Sequence, residues 1–145
     1  MKSVNVLVDL LLPGELTLLM TWRSAKEQRR YISADSEGTL VSVAPGLIGA
    51  VASAFEAPLA CTSANVSGPF CPDGPGPAIS IDQVTGFTEV SGLAVTLTID
   101  GGICPNFQPT TIIDATDVTS PPRIIRPGFV HDKAIEMALL AGGKA

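Results

Sequence analysis

Thr62-Ser63-Ala64-Asn65-Val66-Ser67-Gly68 gathers three hydroxyls and one carboxamide within seven positions. These groups donate and accept hydrogen bonds without carrying charge. Such a set suits a phosphate ester, a ribose or an amino-acid carboxylate. The cluster follows a short apolar run, Pro58-Leu59-Ala60-Cys61. A run of that kind reads as a buried strand. Open α/β sheets bind ligands beyond the carboxyl ends of their strands. The plain alternative is a Ser/Asn-rich turn that caps the next element.

Four further segments give the cluster a context. Leu12-Pro13-Gly14-Glu15-Leu16-Thr17-Leu18 lies upstream. Downstream, Asp100-Gly101-Gly102 closes an apolar run from Leu93 to Ile99. Thr110-Thr111-Ile112-Ile113-Asp114 and Arg123-Ile124-Ile125-Arg126-Pro127-Gly128 follow. In this order the segments resemble the motifs of the YrdC-like family, the threonylcarbamoyl-AMP synthases. Those motifs read W-P-G-P-L-T, T-x-x-V-R-x-P, T-S-A-N-x-S-G, D-G-G, S-T-V-V-D and L-R-P-G. The resemblance runs from about Leu12 to His131.

The resemblance implies an α/β fold, a twisted mixed sheet with flanking helices, here incomplete. It implies a reaction of L-threonine, bicarbonate and ATP with Mg. The threonine amine captures carbon dioxide as a carbamate, whose oxygen attacks the α-phosphate. Pyrophosphate leaves, and threonylcarbamoyl-AMP serves tRNA modification. Such catalysis is mostly positioning and charge neutralisation, so no protein nucleophile is required. By motif position, Thr39, Ser63, Asn65 and Arg126 would bind the nucleotide. Cys61 and Thr110 would face the threonine. The planar fork of Arg126 suits a phosphate; its plain alternative is a surface salt bridge. Asp100 most simply caps the turn at Gly101-Gly102.

Departures from the motifs matter as much. The family arginine thought to hold the threonine carboxylate falls on Val43. A buried carboxylate without a charged partner is costly. A family serine falls on Cys71, a weaker donor. The lysine- and arginine-bearing motif that neutralises the triphosphate has no counterpart in the sequence. A truncated or split synthase, inactive alone, is the first expectation. The others are a non-catalytic module that binds nucleotide or RNA, and a partner subunit completed by a second chain.

With 145 residues and 46% of them apolar, one partial domain, residues 1–145, has enough material for a core. The net charge of −5 argues against a broad nucleic-acid surface, though not against a local basic cleft. No apolar run reaches membrane-span length, and no signal peptide stands at the start, so no membrane is expected and a cytoplasmic location is. Cys61, Cys71 and Cys104 lack paired spacing, and with His131 they lack zinc-site spacing. They read as buried or partly buried thiols, and no metal site is assigned.

The elements that must position these residues follow from periodicity. Residues 4–12 fit a helix or a strand equally, and the resemblance favours a helix. Strands are expected over 16–22, 39–43, 59–62, 93–99, 110–115 and 123–126. The stripe Leu47, Ile48, Val51, Phe55 predicts a sheet-covering helix, and the strands around it a parallel pair. A charged turn or short helix is expected over 24–30, turns at 35–38 and a loop at 69–77. Helices are expected over 79–87, capped by Ser80, and over 133–140.

Overall fold

A computed structural model describes residues 5, 14, 16–24, 26, 28, 38–65, 76–105, 108–117 and 119–142. The expectations for residues 35–37 and Cys71 fall outside them. So do those for residues 4–12 and 69–77, apart from Asn5, Gly76 and Pro77. The chain divides into two units, residues 1–59 with 108–145, and residues 60–107.

Among the described residues the first unit has four strands: β1 (Leu16–Met20), β2 (Thr39–Val41), β3 (Thr111–Asp114) and β4 (Arg123–Arg126). Their order is β2-β1-β3-β4. β1 runs antiparallel to β2 and parallel to β3, and β3 runs antiparallel to β4. The unit also holds α1 (Gly46–Phe55) and, nearer its end, a helix over Asp132–Gly142. The second unit holds α2 (Ile81–Ser91), so the C-terminal helix is α3. The fold is α/β with a mixed sheet, as the sequence implies.

Residues paired across a ladder share a face of the sheet. Leu16 pairs with Thr111 and Leu18 with Ile113, so these four face one way. That face carries the core: Leu16, Leu18 and Ile113 pack with Ile135 and Ala138 of α3. The spacing of Ile135, Ala138 and Leu139 is the i, i+3, i+4 stripe that places apolar groups on one helix face. Thr111 has no exposure, and its hydroxyl donates to the Val130 carbonyl at 2.8 Å. Thr17 and Ile112 occupy the opposite face.

Two expected strands are corrected. Residues 59–62 and 93–99 have no ladder. The parallel pair is β1 with β3, not the strands flanking α1. Leu93, Val95, Leu97 and Ile99 alternate as a strand face would, yet all four are exposed. Alternation marks a face that could be buried; a strand exists only where a neighbour satisfies its backbone groups. Likewise α1 forms as predicted but buries none of its residues. Its stripe needs an opposing apolar layer, which its own periodicity cannot supply. Cys61 and Cys104 are exposed rather than buried.

In the second unit α2 follows its punctuation. The Ser80 hydroxyl accepts from Gln83 N at 3.4 Å, and the Gln83 side chain accepts from Ile79 N at 2.8 Å. The first bond is the N-cap half of a capping box; the second reaches one residue further back, to the amide that precedes the cap. Gly92 ends the helix with φ 66°. Among the described residues no helix is long and apolar enough to cross a membrane.

Candidate functional site

The segment before β3 and the end of β4 build one polar corner. Arg126 donates from Nη2 to the Thr110 carbonyl at 2.8 Å and from Nε to the same oxygen at 3.3 Å. Nη2 also donates to Thr110 Oγ1 at 3.2 Å. The salt-bridge alternative for Arg126 is therefore not what holds it. Among the described residues the ion pair on β4 belongs to Arg123, which meets Asp114 at 3.2 Å. The Arg126 side chain is exposed, and its Nη1 keeps two N–H donors directed at no described side chain.

A register shift sets which residue stands there. Ile113 pairs with Ile124, but Ile112 pairs with Arg126. Ile125 is the extra residue of the bulge. Without it, Ile125 would face with Ile112, and Arg126 would turn to the core side. A bulge re-aims a side chain in this way. Gly128 locks the arrangement. A Cβ there would sit 2.7 Å from the Thr110 carbonyl oxygen and closer still to that of Pro109. Phe129 N donates to the Pro109 carbonyl at 2.9 Å and draws the two segments together.

Behind the corner lies a row of hydroxyls. Thr17 Oγ1 is 2.7 Å from Thr110 Oγ1 and 2.7 Å from Ser42 Oγ. Thr17 is 7% exposed and Ser42 is exposed. Neither was singled out from the sequence. The available signal was a hydroxyl inside the apolar run of β1, because a buried hydroxyl needs a partner.

Thr39 stands elsewhere. It pairs with Met20, at the opposite end of β1 from Thr17, roughly 10 Å along the strand at 3.3 Å per residue. Its hydroxyl accepts from the Trp22 indole at 2.6 Å. The structure thus brings Thr110 and Arg126 together and keeps Thr39 apart from them. In the second unit, Ser63 Oγ donates to Asn65 Oδ1 at 2.5 Å. Ala78 N donates to the Ala64 carbonyl at 2.7 Å and anchors this segment. Cys61 is exposed in the same stretch. Asp100 caps its turn as expected, accepting from Gly102 N at 2.8 Å.

A cleft of about 380 Å³ opens at the far end of β3, lined by Asp114, Thr116, Asp117, Ser120, Pro121 and Arg123. Its carboxylates serve its own turns. Hydrogen bonds from Thr116, then the Arg123 guanidinium, hold the Asp114 carboxyl below its ordinary value. The Ser120 and Thr119 hydroxyls hold Asp117 at about 2. With their lone pairs engaged at home, these groups brace the β3–β4 connection. They are poorly placed for acid–base chemistry near neutral pH.

Comparison with known proteins agrees with the family resemblance. Searches of curated proteins and of solved structures returned no significant match. A sequence model of the Sua5/YciO/YrdC family, described as telomere recombination, matches residues 2–128. That span covers most of the chain and includes β1 to β4 with the Thr110–Arg126 corner, so the chain belongs to the Sua5/YciO/YrdC family.

Proposed function

We propose that this chain supplies a nucleotide- and threonine-binding part of a threonylcarbamoyl-AMP synthase and does not complete the reaction alone. The observation that carries this reading is Arg126 docked on Thr110 with spare donors on Nη1. A guanidinium fixed by a backbone carbonyl is oriented before ligand arrives, which lowers the ordering cost of gripping a phosphate. Thr110, beside it, faces L-threonine. Ser63 and Asn65 bind the nucleotide by their motif positions, with Cys61 toward the threonine and Thr39 as a further nucleotide contact. ATP enters with Mg, bicarbonate supplies the carbamate carbon, and the product is used on tRNA in the cytoplasm. The cations that neutralise the triphosphate come from outside this stretch, on a second chain or another part of the same polypeptide.

A second reading, a non-catalytic module for nucleotide or RNA, is favoured by one residue. Val43 stands where the family arginine would hold the threonine carboxylate. Each positioned donor at a developing or desolvated charge supplies a few kcal/mol. The test is pyrophosphate release with L-threonine, bicarbonate, Mg and ATP. The chain alone should stay near background. Val43→Arg combined with the N-terminal half of a family member should restore release. Robust threonine-dependent release by the unmodified chain contradicts the partial-site reading. Silence of the fully supplemented mixture favours the non-catalytic module.

A further inference from the structure

The hydroxyls behind the corner form a continuous line: Ser42 Oγ, Thr17 Oγ1 and Thr110 Oγ1, each 2.7 Å from the next, ending at Arg126 Nη2. At that separation each contact is a hydrogen bond, so one oxygen of each pair presents a proton and the other a lone pair. A hydroxyl has one proton to give. Arg126 has only donors, so one Thr110 lone pair is already taken. An anionic oxygen bound at Arg126 has only lone pairs to offer. Thr110 can meet it only by donating. Its single proton is then spent on the ligand, so Thr17 must donate to Thr110. Thr17's own proton is then spent, so Ser42 must donate to Thr17. Ligand charge fixes the direction of all three protons.

We propose that Thr17 and Ser42 are positioning residues that aim the Thr110 proton at an anionic ligand oxygen, through the relay Ser42 to Thr17 to Thr110 to ligand. The proposal rests on the anion-binding reading of the Arg126 corner. Thr17 suits this role because it is more than nine-tenths buried and its hydroxyl touches both neighbours, so water does not compete for its proton. Ser42, at the exposed end, draws on solvent for its remaining bond. The shared ligand chemistry is an anionic oxygen, either a phosphate or a carboxylate.

The experiment is calorimetric titration of the full chain with AMP, with L-threonine and with inorganic phosphate. Wild type is compared with Thr17→Val, Thr17→Ser and Ser42→Ala. Thr17→Val keeps the side-chain shape and removes the Thr17–Thr110 bond, and should weaken the ligand whose anion sits at Thr110 by about 5–10-fold, the worth of one hydrogen bond between neutral groups. Thr17→Ser should stay within about 2-fold of wild type, since it keeps the hydroxyl. Ser42→Ala should fall between, because Thr17 retains its proton. Loss for AMP identifies a phosphate, and loss for L-threonine a carboxylate. Equal affinity of wild type and Thr17→Val for every ligand bound overturns the relay. Equal weakness of Thr17→Ser and Thr17→Val does so as well. If wild type binds neither AMP nor L-threonine, the proposed function fails. The relay is then decided by phosphate alone: weaker phosphate binding by Thr17→Val upholds it, while equal binding, or none by wild type, overturns it.

Discussion

Gly128 lies against the Thr110 carbonyl so closely that any side chain there would collide with it: an added Cβ would sit 2.7 Å from that oxygen. The same oxygen accepts both the Nε and the Nη2 donors of Arg126. The glycine of the Arg-Pro-Gly segment and its arginine therefore act on one atom. One lets the segment approach, and the other is held by the approach.

Gly128→Ala should destabilise the chain by about 1–3 kcal/mol, since the obstacle is backbone and cannot rotate away. Gly86→Ala is the contrasting change. Gly86 sits inside α2 with nothing within 4 Å of an added Cβ, so alanine should stabilise by about 0.5–1 kcal/mol through helix propensity. Urea unfolding of the two variants checks both signs. A neutral Gly128→Ala would mean that the segments are not in contact.

Asp117 should titrate at about 2, held down by the Ser120 hydroxyl first and by Thr119 after it. Because its folded value lies below the ordinary carboxylate value, its stabilising effect is present above that ordinary value. It is lost as pH falls through about 2. Near neutral pH the carboxylate is charged in both states, so its stabilising effect is fully present and does not change with pH. Carboxyl-carbon NMR should show the low midpoint, and Ser120→Ala should move it up toward the ordinary value. An unchanged midpoint would remove the Ser120 bond as the cause.

Val43→Arg should strengthen L-threonine binding about 10-fold or more, as expected for a new charge-assisted bond to a carboxylate. AMP binding should change little. Val43 is 45% exposed, so the longer side chain meets no packed core. An affinity change for AMP with none for L-threonine would place the phosphate, not the carboxylate, beside position 43.

Local chemistry was legible where one short segment contains the whole cause. Ser80 and Gln83 cap α2, Gly92 ends it, and Asp100 closes its turn, all within a few residues of one another. The four described strands of the sheet fall inside the ranges expected to be strands. What failed depends on partners distant in sequence. Leu93 to Ile99 has the right alternation and no ladder. The Thr17 relay depends on β1 lying between residues 42 and 110, which no local pattern states. The bulge at Ile125 is equally silent in sequence, yet it decides that an arginine and not an isoleucine stands opposite Ile112, from where it bonds Thr110.

The central claim is that Arg126 is a phosphate-binding residue held ready by Thr110. Titration of AMP into wild type, Arg126→Ala and Arg123→Ala tests it most directly. Arg126→Ala should weaken AMP by about 1.5–3 kcal/mol, the worth of a hydrogen bond from a charged donor. Arg123→Ala should leave AMP affinity unchanged, since Arg123 is engaged by Asp114 in the other cleft. Equal affinity of wild type and Arg126→Ala for AMP, or a loss confined to Arg123→Ala, would contradict the account.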